Sequence, residues 1–373
     1  MFEIETISKP TNTQKELGDW EESLRRYPVN YPKDWKNKLI LGDNKSAMNS
    51  LIEQGWTEKI NLIYIDPPFF SGNSYLTYND KWSDEIDSYL KYMEKRLILM
   101  RDLLAENGSI YVHLDWHVGH YVKVLMDRIF TRKCFKNEII WQRAKTVGRT
   151  VQPQKFNVLT DSILFYSKNP DTKINEQKVK KYYLLSDAKN LFKFDEKFNT
   201  FFKDAPAGDY SDESIRRLDG EGRIYWNSKG NLRKKISLKY ETKNGIKYVV
   251  EEIEVGNIWN DLTDMMHATK EEKTGFPTQK PEDLLERIIK ASSDEGDIIA
   301  DFFCGSGTTL AVAEKLDRRW IGCDSSDSAI QVTKERILNI HNSRDLIDES
   351  RRYNRHTRPF ELWRNEGKKD EKQ

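Results

Sequence analysis

Two short stretches hold the residue types best suited to chemistry. The first is Asp66-Pro67-Pro68-Phe69, which closes the apolar run NLIYID at residues 61–66. Proline has no amide hydrogen for a strand ladder, so Pro67 and Pro68 end regular pairing and stiffen the corner. That corner presents one carboxylate and one aromatic face, an arrangement able to hold a ligand. The second stretch is DFFCGSGTTL, residues 301–310, which follows an apolar run and opens a helical one. Gly305 and Gly307 let the backbone turn tightly and approach a ligand closely. Asp324 comes 19 positions after Gly305, at the end of the next apolar run. An acid at that spacing can accept hydrogen bonds from both hydroxyls of an adenosine ribose.

The surrounding residues narrow the class of adenosine ligand. A nicotinamide fingerprint needs G-x-G-x-x-G, and position 310 is Leu. A phosphate-cradling loop needs Gly-Lys-Ser/Thr, and no lysine follows Gly307. Asp301 stands just before the turn, where its charge would repel a pyrophosphate but suit an amino group or a sulfonium. S-Adenosylmethionine carries both, so the electrostatics favour it.

The elements that must position these residues alternate between short β-branched runs and amphipathic ones. KLILGD (38–43) and NLIYID (61–66) read as strands. From Asp84 to Leu104, Tyr89, Met93, Leu97, Met100 and Leu104 fall at helical spacing, with Asp84, Glu85 and Asp87 favouring the helix start. Asn107-Gly108 breaks this helix, and SIYVHL (109–114) is the next strand. A helix over 117–130 precedes strands EIIWQR (138–143) and SILFYS (162–167). After a polar stretch, a helix over 278–291 has Pro281, Glu282 and Asp283 in its first turn, where all three are favourable. Then come a strand at 298–303, a helix at 307–317 and a strand at 319–324. Such alternation predicts a mostly parallel sheet with helices on both faces. The expected divisions are an N-terminal extension (1–37), a first α/β portion (38–170), an insert of different texture (171–256), a second α/β portion (257–345) and a partly ordered tail (346–373).

Composition removes several classes. Lys and Arg number 61 against 60 Asp and Glu, so no global positive field is present. No apolar run approaches the roughly 20 residues that cross a bilayer, and the N-terminus lacks a signal-peptide layout. The three cysteines, Cys134, Cys304 and Cys323, form no disulfide framework. A cytoplasmic protein with no membrane partner is expected.

With both stretches in hand, the chain resembles the DNA amino-methyltransferases, which methylate exocyclic nitrogens of adenine or cytosine. That family carries D/N/S-P-P-Y/F/W at the target base and F-x-G-x-G at the cofactor. Here these are Asp66-Pro67-Pro68-Phe69 and Phe303-Cys304-Gly305-Ser306-Gly307. The base motif precedes the cofactor motif with an insert between them, which is similar to the β-class permutation. Thr278-Gln279-Lys280-Pro281 is similar to the motif around the methionine moiety, and Leu41-Gly42-Asp43 to the motif near the adenine. YNDKW (78–82) suggests kinship with type III modification subunits. The likeness covers roughly residues 38–170 and 257–340.

The resemblance implies a three-layer, Rossmann-like α/β fold with circularly permuted motif order and 171–256 as an inserted target-recognition domain. It implies S-adenosylmethionine as cofactor, with Asp43, Thr278, Lys280, Asp301, Phe302, Phe303, Gly305, Ser306, Gly307, Thr308 and Asp324 around it. Asp66, Pro67, Pro68 and Phe69 become the catalytic residues. The amino nitrogen of adenine is a poor nucleophile because its lone pair is delocalised into the ring. Hydrogen bonds from the NH2 to the Asp66 carboxylate and the Pro67 carbonyl would localise it, with no covalent enzyme intermediate. Phe69 would stack on a base that must leave the duplex to be reached, and stacking and flipping are of comparable size, a few kcal/mol each. Asp at the head of the motif favours adenine N6 over cytosine N4.

The insert adds Arg216, Arg217, Arg223, Tyr225, Trp226, Lys229 and Arg233, cations interleaved with aromatics as double-stranded DNA contacts require. Such residues also make ordinary solvated faces and small cores. The expected partners are double-stranded DNA, a second copy of the chain and a cognate restriction endonuclease. HLDWHVGH (113–120) holds three of the six histidines, but its spacing is not H-E-x-x-H, and no metal is expected. Cytosine-N4 methylation and a DNA-binding subunit of a larger restriction complex are the alternatives. A nicotinamide oxidoreductase would need the glycine that Leu310 replaces.

Overall fold

The computed structural model describes residues 2–7, 35–68, 86–144, 156–208, 210–262, 264–348 and 351–365. Phe69, Asp84, Glu85 and the YNDKW stretch lie outside the described residues. Two compact units are present, one formed by residues 1–175 with 256–373 and the other by 176–255.

In chain order the larger unit begins with β1 (Phe2–Ile7), β2 (Asn37–Leu41), α1 (Asn44–Glu53), β3 (Ile60–Ile65), α2 (Ile86–Leu103) and β4 (Leu104–Leu114). It continues with α3 (Gly119–Phe130), β5 (Phe135–Gln142) and β6 (Thr160–Ser167). The smaller unit supplies β7 (Lys178–Leu184), α4 (Leu185–Leu191), β8 (Lys193–Asp195), β9 (Thr200–Pro206), α5 (Asp212–Gly220), β10 (Ile224–Trp226), β11 (Leu232–Ser237), β12 (Lys239–Lys243) and β13 (Ile246–Glu254). The larger unit resumes with β14 (Ile258–Trp259), α6 (Glu282–Ser292), β15 (Ile298–Asp301), α7 (Thr308–Lys315), β16 (Arg319–Asp324), α8 (Asp327–Leu338) and β17 (Phe360–Asn365).

The larger unit is built on a ten-stranded sheet in the order β1-β17-β2-β16-β15-β3-β4-β6-β5-β14. Six strands from β17 to β4 run parallel, while β6 runs antiparallel between β4 and β5, so the sheet is mixed. Alternate strand residues serve opposite faces. Ile40, Ile63, Ile65, Ile110 and Val112 join one core with Met48 and Leu51 of α1, Met93, Leu97 and Met100 of α2, and Val122 and Met126 of α3. Their neighbours Leu39, Leu62, Tyr64 and Tyr111 are buried too, as are Leu284, Ile288 and Ile289 of α6 and the whole of α7. Both sheet faces are therefore covered, which makes the three layers.

Several sequence boundaries need correcting. Asn107-Gly108 does not separate a helix from a strand. It lies inside β4 at an irregularity, where Leu104 pairs with Ile60 but Ser109 pairs with Leu62. A side chain at Gly108 would meet backbone oxygens of Ala105 and Ile60 at 2.9 and 3.0 Å. Pro281 precedes its helix rather than sitting in the first turn, with extended angles of φ −70° and ψ 147°. The strand at 298 stops at Asp301, because the Asp301 carboxylate accepts the Phe303 amide at 3.0 Å and turns the chain. Within the expected tail, the described residues 351–365 hold strand β17, which inserts between β1 and β2, with Phe360, Leu362 and Trp363 buried.

The smaller unit holds a four-stranded antiparallel sheet, β10-β11-β9-β8, and a three-stranded one, β12-β13-β7. Ala188, Phe201, Leu238 and Val249 form its core, with Tyr183, Phe192 and Tyr240 packed against them.

Candidate active site

Five parallel neighbours in the large sheet each end at an aspartate. Across the order β2-β16-β15-β3-β4, these are Asp43, Asp324, Asp301, Asp66 and Asp115. All five line one cavity of about 530 Å³. The carboxyl ends of parallel strands are where open α/β sheets bind ligands, because helices and loops diverge there.

Each carboxylate is held by its local sequence. Asp43 caps α1, accepting the Ser46 amide at 3.0 Å, and its other oxygen meets Arg96 at 2.5 Å. The Arg96 guanidinium lies 3.5 Å from the Tyr92 ring centre, and Asn44 donates to the Phe302 carbonyl at 2.8 Å. Asp324 accepts the Gly305 amide and the Ser326 amide, both at 2.9 Å, so it is fastened beneath the glycine turn. Asp301 accepts the Phe303 amide and, at 2.6 Å, the Thr309 hydroxyl. Burial pushes the Asp301 carboxyl up to about 7, with the nearby Asp66 and Asp324 charges adding to it. Burial also raises Asp324.

Of the residues expected at the cofactor, Asp43, Thr278, Lys280, Asp301, Phe302, Phe303, Gly305, Ser306, Thr308 and Asp324 line this cavity, and Gly307 does not. Gly307 has φ +72°, and a side chain there would lie 2.6 Å from Thr333 Cγ2. Its part is the turn into α7, not the wall. Gln279, between Thr278 and Lys280, is buried and bonded to Glu272 and Thr274, which fixes that segment.

Asp66, Pro67 and Pro68 line the same cavity. Asp66 Oδ2 forms an ion pair with Lys280, whose side chain is 13% exposed against 16% for Asp66. Asp66 Oδ1 is buried and has no hydrogen-bond partner among the described residues. A buried acceptor left unmade costs about 1–3 kcal/mol, so this oxygen is set for a donor from a ligand.

Sequence reasoning missed most of the other wall, to which the HLDWHVGH stretch supplies Asp115, Trp116 and His117. Tyr64, Asp115, Trp116, His117, Trp141, Arg143 and Asp161 also face the cavity. Trp116 stacks on His117 with centroids 3.7 Å apart. His117 is ion-paired to Asp115, a local bond within the HLDWH stretch. The signal available for Asp115 was its place after an apolar run, as with Asp66.

The expected DNA-contacting residues all belong to the smaller unit. Arg216 and Arg217 are exposed on α5, Lys229 is exposed in the turn after β10, and Trp226 is 65% exposed. Arg223 pairs with Glu221 at 3.2 Å. Arg233 pairs with Asp204 at 2.8 Å, and Tyr225 packs on Phe202 with centroids 6.0 Å apart.

A family model described as DNA methylase matches residues 60–335. The type II methyltransferase M.EcaI of Enterobacter cloacae is 32% identical over 81% of this chain and 69% of its own length. The probable type III restriction-modification enzyme HindVI Mod subunit of Haemophilus influenzae is 28% identical over 91% of this chain, which spans 55% of that protein. The chain therefore spans about half the length of the type III relative. Among solved structures, PvuII DNA methyltransferase (cytosine-N4-specific) superposes with a TM-score of 0.50 at 15% identity, over 82% of this chain and 88% of that one. That likeness concerns the fold.

Proposed function

Since the chain belongs to the DNA methylase family of N6 and N4 methyltransferases, we propose that it methylates the N6 amino group of adenine in double-stranded DNA. S-Adenosylmethionine is the cofactor, and when bound it supplies an electrophilic methyl group on a sulfonium. The carboxylates of Asp43, Asp301 and Asp324 fit that ligand: a buried acid facing a cation, and acceptors suited to ribose hydroxyls and to an amine. Thr278, Lys280, Phe302, Phe303, Gly305, Ser306 and Thr308 complete its walls, with Gly307 shaping the turn.

The observation that carries the reading is Asp66 Oδ1, a buried acceptor lacking a donor among the described residues, at the head of Asp-Pro-Pro-Phe. An amino group donating to it gains electron density at nitrogen as the methyl arrives, a bond that strengthens toward the transition state. Asp66 and the Pro67 carbonyl orient that amino group, Pro68 stiffens the corner, and Phe69 stacks on the flipped base. Residues 176–255 serve target recognition, with Arg216, Arg217, Arg223, Tyr225, Trp226, Lys229 and Arg233 near phosphates and bases. The setting is cytoplasmic restriction-modification, with a homodimer and a cognate restriction endonuclease as partners.

The test is a nucleoside digest of DNA incubated with the protein and methyl-labelled cofactor. Label in N6-methyladenine that vanishes in Asp66→Ala supports the full reading. Label in N4-methylcytosine overturns the choice of base and keeps the rest, and no label on DNA of varied sequence overturns the assignment as an enzyme acting alone.

A further inference from the structure

Beside Asp66, a chain of buried polar side chains crosses the sheet from β3 through β4 to β6. The Tyr64 hydroxyl is 2.8 Å from His113 Nδ1, and His113 Nε2 is 3.3 Å from Asp161 Oδ2. The other Asp161 oxygen meets Arg143 Nε at 2.9 Å, just past β5. Trp141 stands edge-on to His113, with centroids 5.4 Å apart and planes at 89°. His113 is fully buried, Tyr64 is 2% exposed and Asp161 6%. The amino-group chemistry above gives none of the three a task, and burying such groups is costly unless each is bonded.

The direction of the bonds follows from the chemistry of the groups. An ionised carboxylate only accepts, so His113 donates from Nε2 to Asp161. Neutral imidazole then offers Nδ1 as an acceptor, the Tyr64 hydroxyl donates to it, and the phenol lone pairs are left for the cavity that Tyr64 lines. Burial raises Asp161, but its bond to His113 and the charges of Arg143 and Lys280 hold it below the usual carboxylate range. Burial and the charges of Asp66, Asp301 and Asp161 hold the Tyr64 phenol well above its usual range, so it stays protonated.

We propose that Tyr64, His113 and Asp161 are the relay that accepts the proton released when the target amino group is methylated. The proposal rests on the methyltransferase reading. As the N–C bond forms and the S–C bond breaks, the nitrogen becomes an aminium and must lose one hydrogen. That proton passes to the Tyr64 oxygen while the hydroxyl proton moves to His113 Nδ1. Tyr64 ends neutral, His113 ends as an imidazolium, and Asp161 balances its charge. Asp66 is already engaged by the Lys280 ion pair, which leaves the Tyr64 oxygen to take the proton. Asp115 adds a further negative charge beside Asp161.

Tyr64→Phe keeps the ring and removes the conduit. In single-turnover methyl transfer it should slow the reaction about a hundredfold, the low end of general-base effects, while cofactor affinity is unchanged. Asp161→Asn should slow the rate as well, because the imidazolium loses its counter-charge. A merely structural role would lower the melting temperature and leave the single-turnover rate unchanged. Nitrogen-15 NMR of labelled histidine reads the tautomer without turnover: hydrogen on Nε2 supports the relay, and hydrogen on Nδ1 overturns it. Labelled DNA at an unchanged rate in Tyr64→Phe overturns the relay alone, whereas a wild type that labels no DNA overturns the parent reading.

Discussion

Asp301→Asn separates what the cavity's deepest carboxyl does for folding from what it does for the cofactor. Asn fits without repacking. Its oxygen still accepts the Phe303 amide, and its NH2 donates to the Thr309 hydroxyl, which turns from donor to acceptor. What changes is charge. In the fold the Asp301 carboxyl titrates at about 7, against an ordinary 3.8. The folded state therefore holds a proton between those values that the unfolded chain has released. Stability falls as pH rises wherever the folded state binds more protons. At about 1.4 kcal/mol per pH unit, the wild type loses about 4 kcal/mol between the two values.

The Asn variant has no such titration, so it should match the wild type near pH 4 and exceed it by about 4 kcal/mol near pH 8. Urea unfolding at half-unit steps across that range reads the difference directly. The same change should weaken cofactor binding, because the cavity loses the anion that faces a cation. Wild-type affinity should fall below pH 7, by up to about tenfold per pH unit, and binding near neutrality should release a proton measurable by titration calorimetry in buffers of different ionisation enthalpy. Parallel stability curves for the two proteins, or equal cofactor affinity, would refute the reasoning.

Four other sets of perturbations test separate parts of the molecule. Asp66→Ala leaves the Lys280 ammonium largely buried beside an apolar methyl and should cost about 2 kcal/mol or more; adding Lys280→Met should restore stability but not methyl transfer, and equal melting of both variants would count against the pair. Gly307→Ala combines φ +72° with a contact of 2.6 Å to Thr333, so it should lose about 1–3 kcal/mol in thermal unfolding, while wild-type melting would show the turn to be adaptable. Arg216→Ala and Arg217→Ala should each lower the salt slope of DNA binding by about one and spare cofactor affinity. Arg233→Ala, which breaks the pair with Asp204, should instead weaken the insert itself, and an effect on DNA binding alone would reverse that assignment.

The cofactor turn was legible because its parts lie close in sequence and each has a local physical cause. Gly305 and Gly307 need positive φ, Asp301 ends a strand, and Asp324 ends the next one. Strand and helix periodicity located β2, β3, β15 and β16 for the same reason. Strand β17 was not legible because RRYNRHTRPFELWRN is densely charged. Its apolar residues are few, yet Phe360, Leu362 and Trp363 all point into the core, and Lys38 and Glu314 absorb the charges of Glu361 and Arg358 at 3.0 and 3.3 Å. Hydropathy averaged over a window hides a strand whose polar residues are paired. The Tyr64–His113–Asp161 chain was illegible for a different reason. Its members lie 49 and 48 residues apart, and the parallel pairing of β3 with β4 and the antiparallel pairing of β4 with β6 bring them together.

The same topology explains why the cavity wants a cation. Asp43, Asp66, Asp115, Asp161, Asp301 and Asp324 face it, against Arg143, Lys280 and His117. Strands that end in aspartate are ordinary singly, since the residue turns the chain and can cap the next helix. Laid side by side at one sheet edge, their charges repel through a poorly screened space. Arg96 answers Asp43, Lys280 answers Asp66, and backbone amides answer Asp324. Among the described residues Asp301 is answered by an amide and a hydroxyl, but burial outweighs both bonds and, with the Asp66 and Asp324 charges, pushes its carboxyl up to about 7. A ligand carrying positive charge relieves that remaining repulsion, whereas a pyrophosphate would deepen it. Selectivity for a cationic adenosine cofactor thus follows from strand order together with the residue at each strand's end.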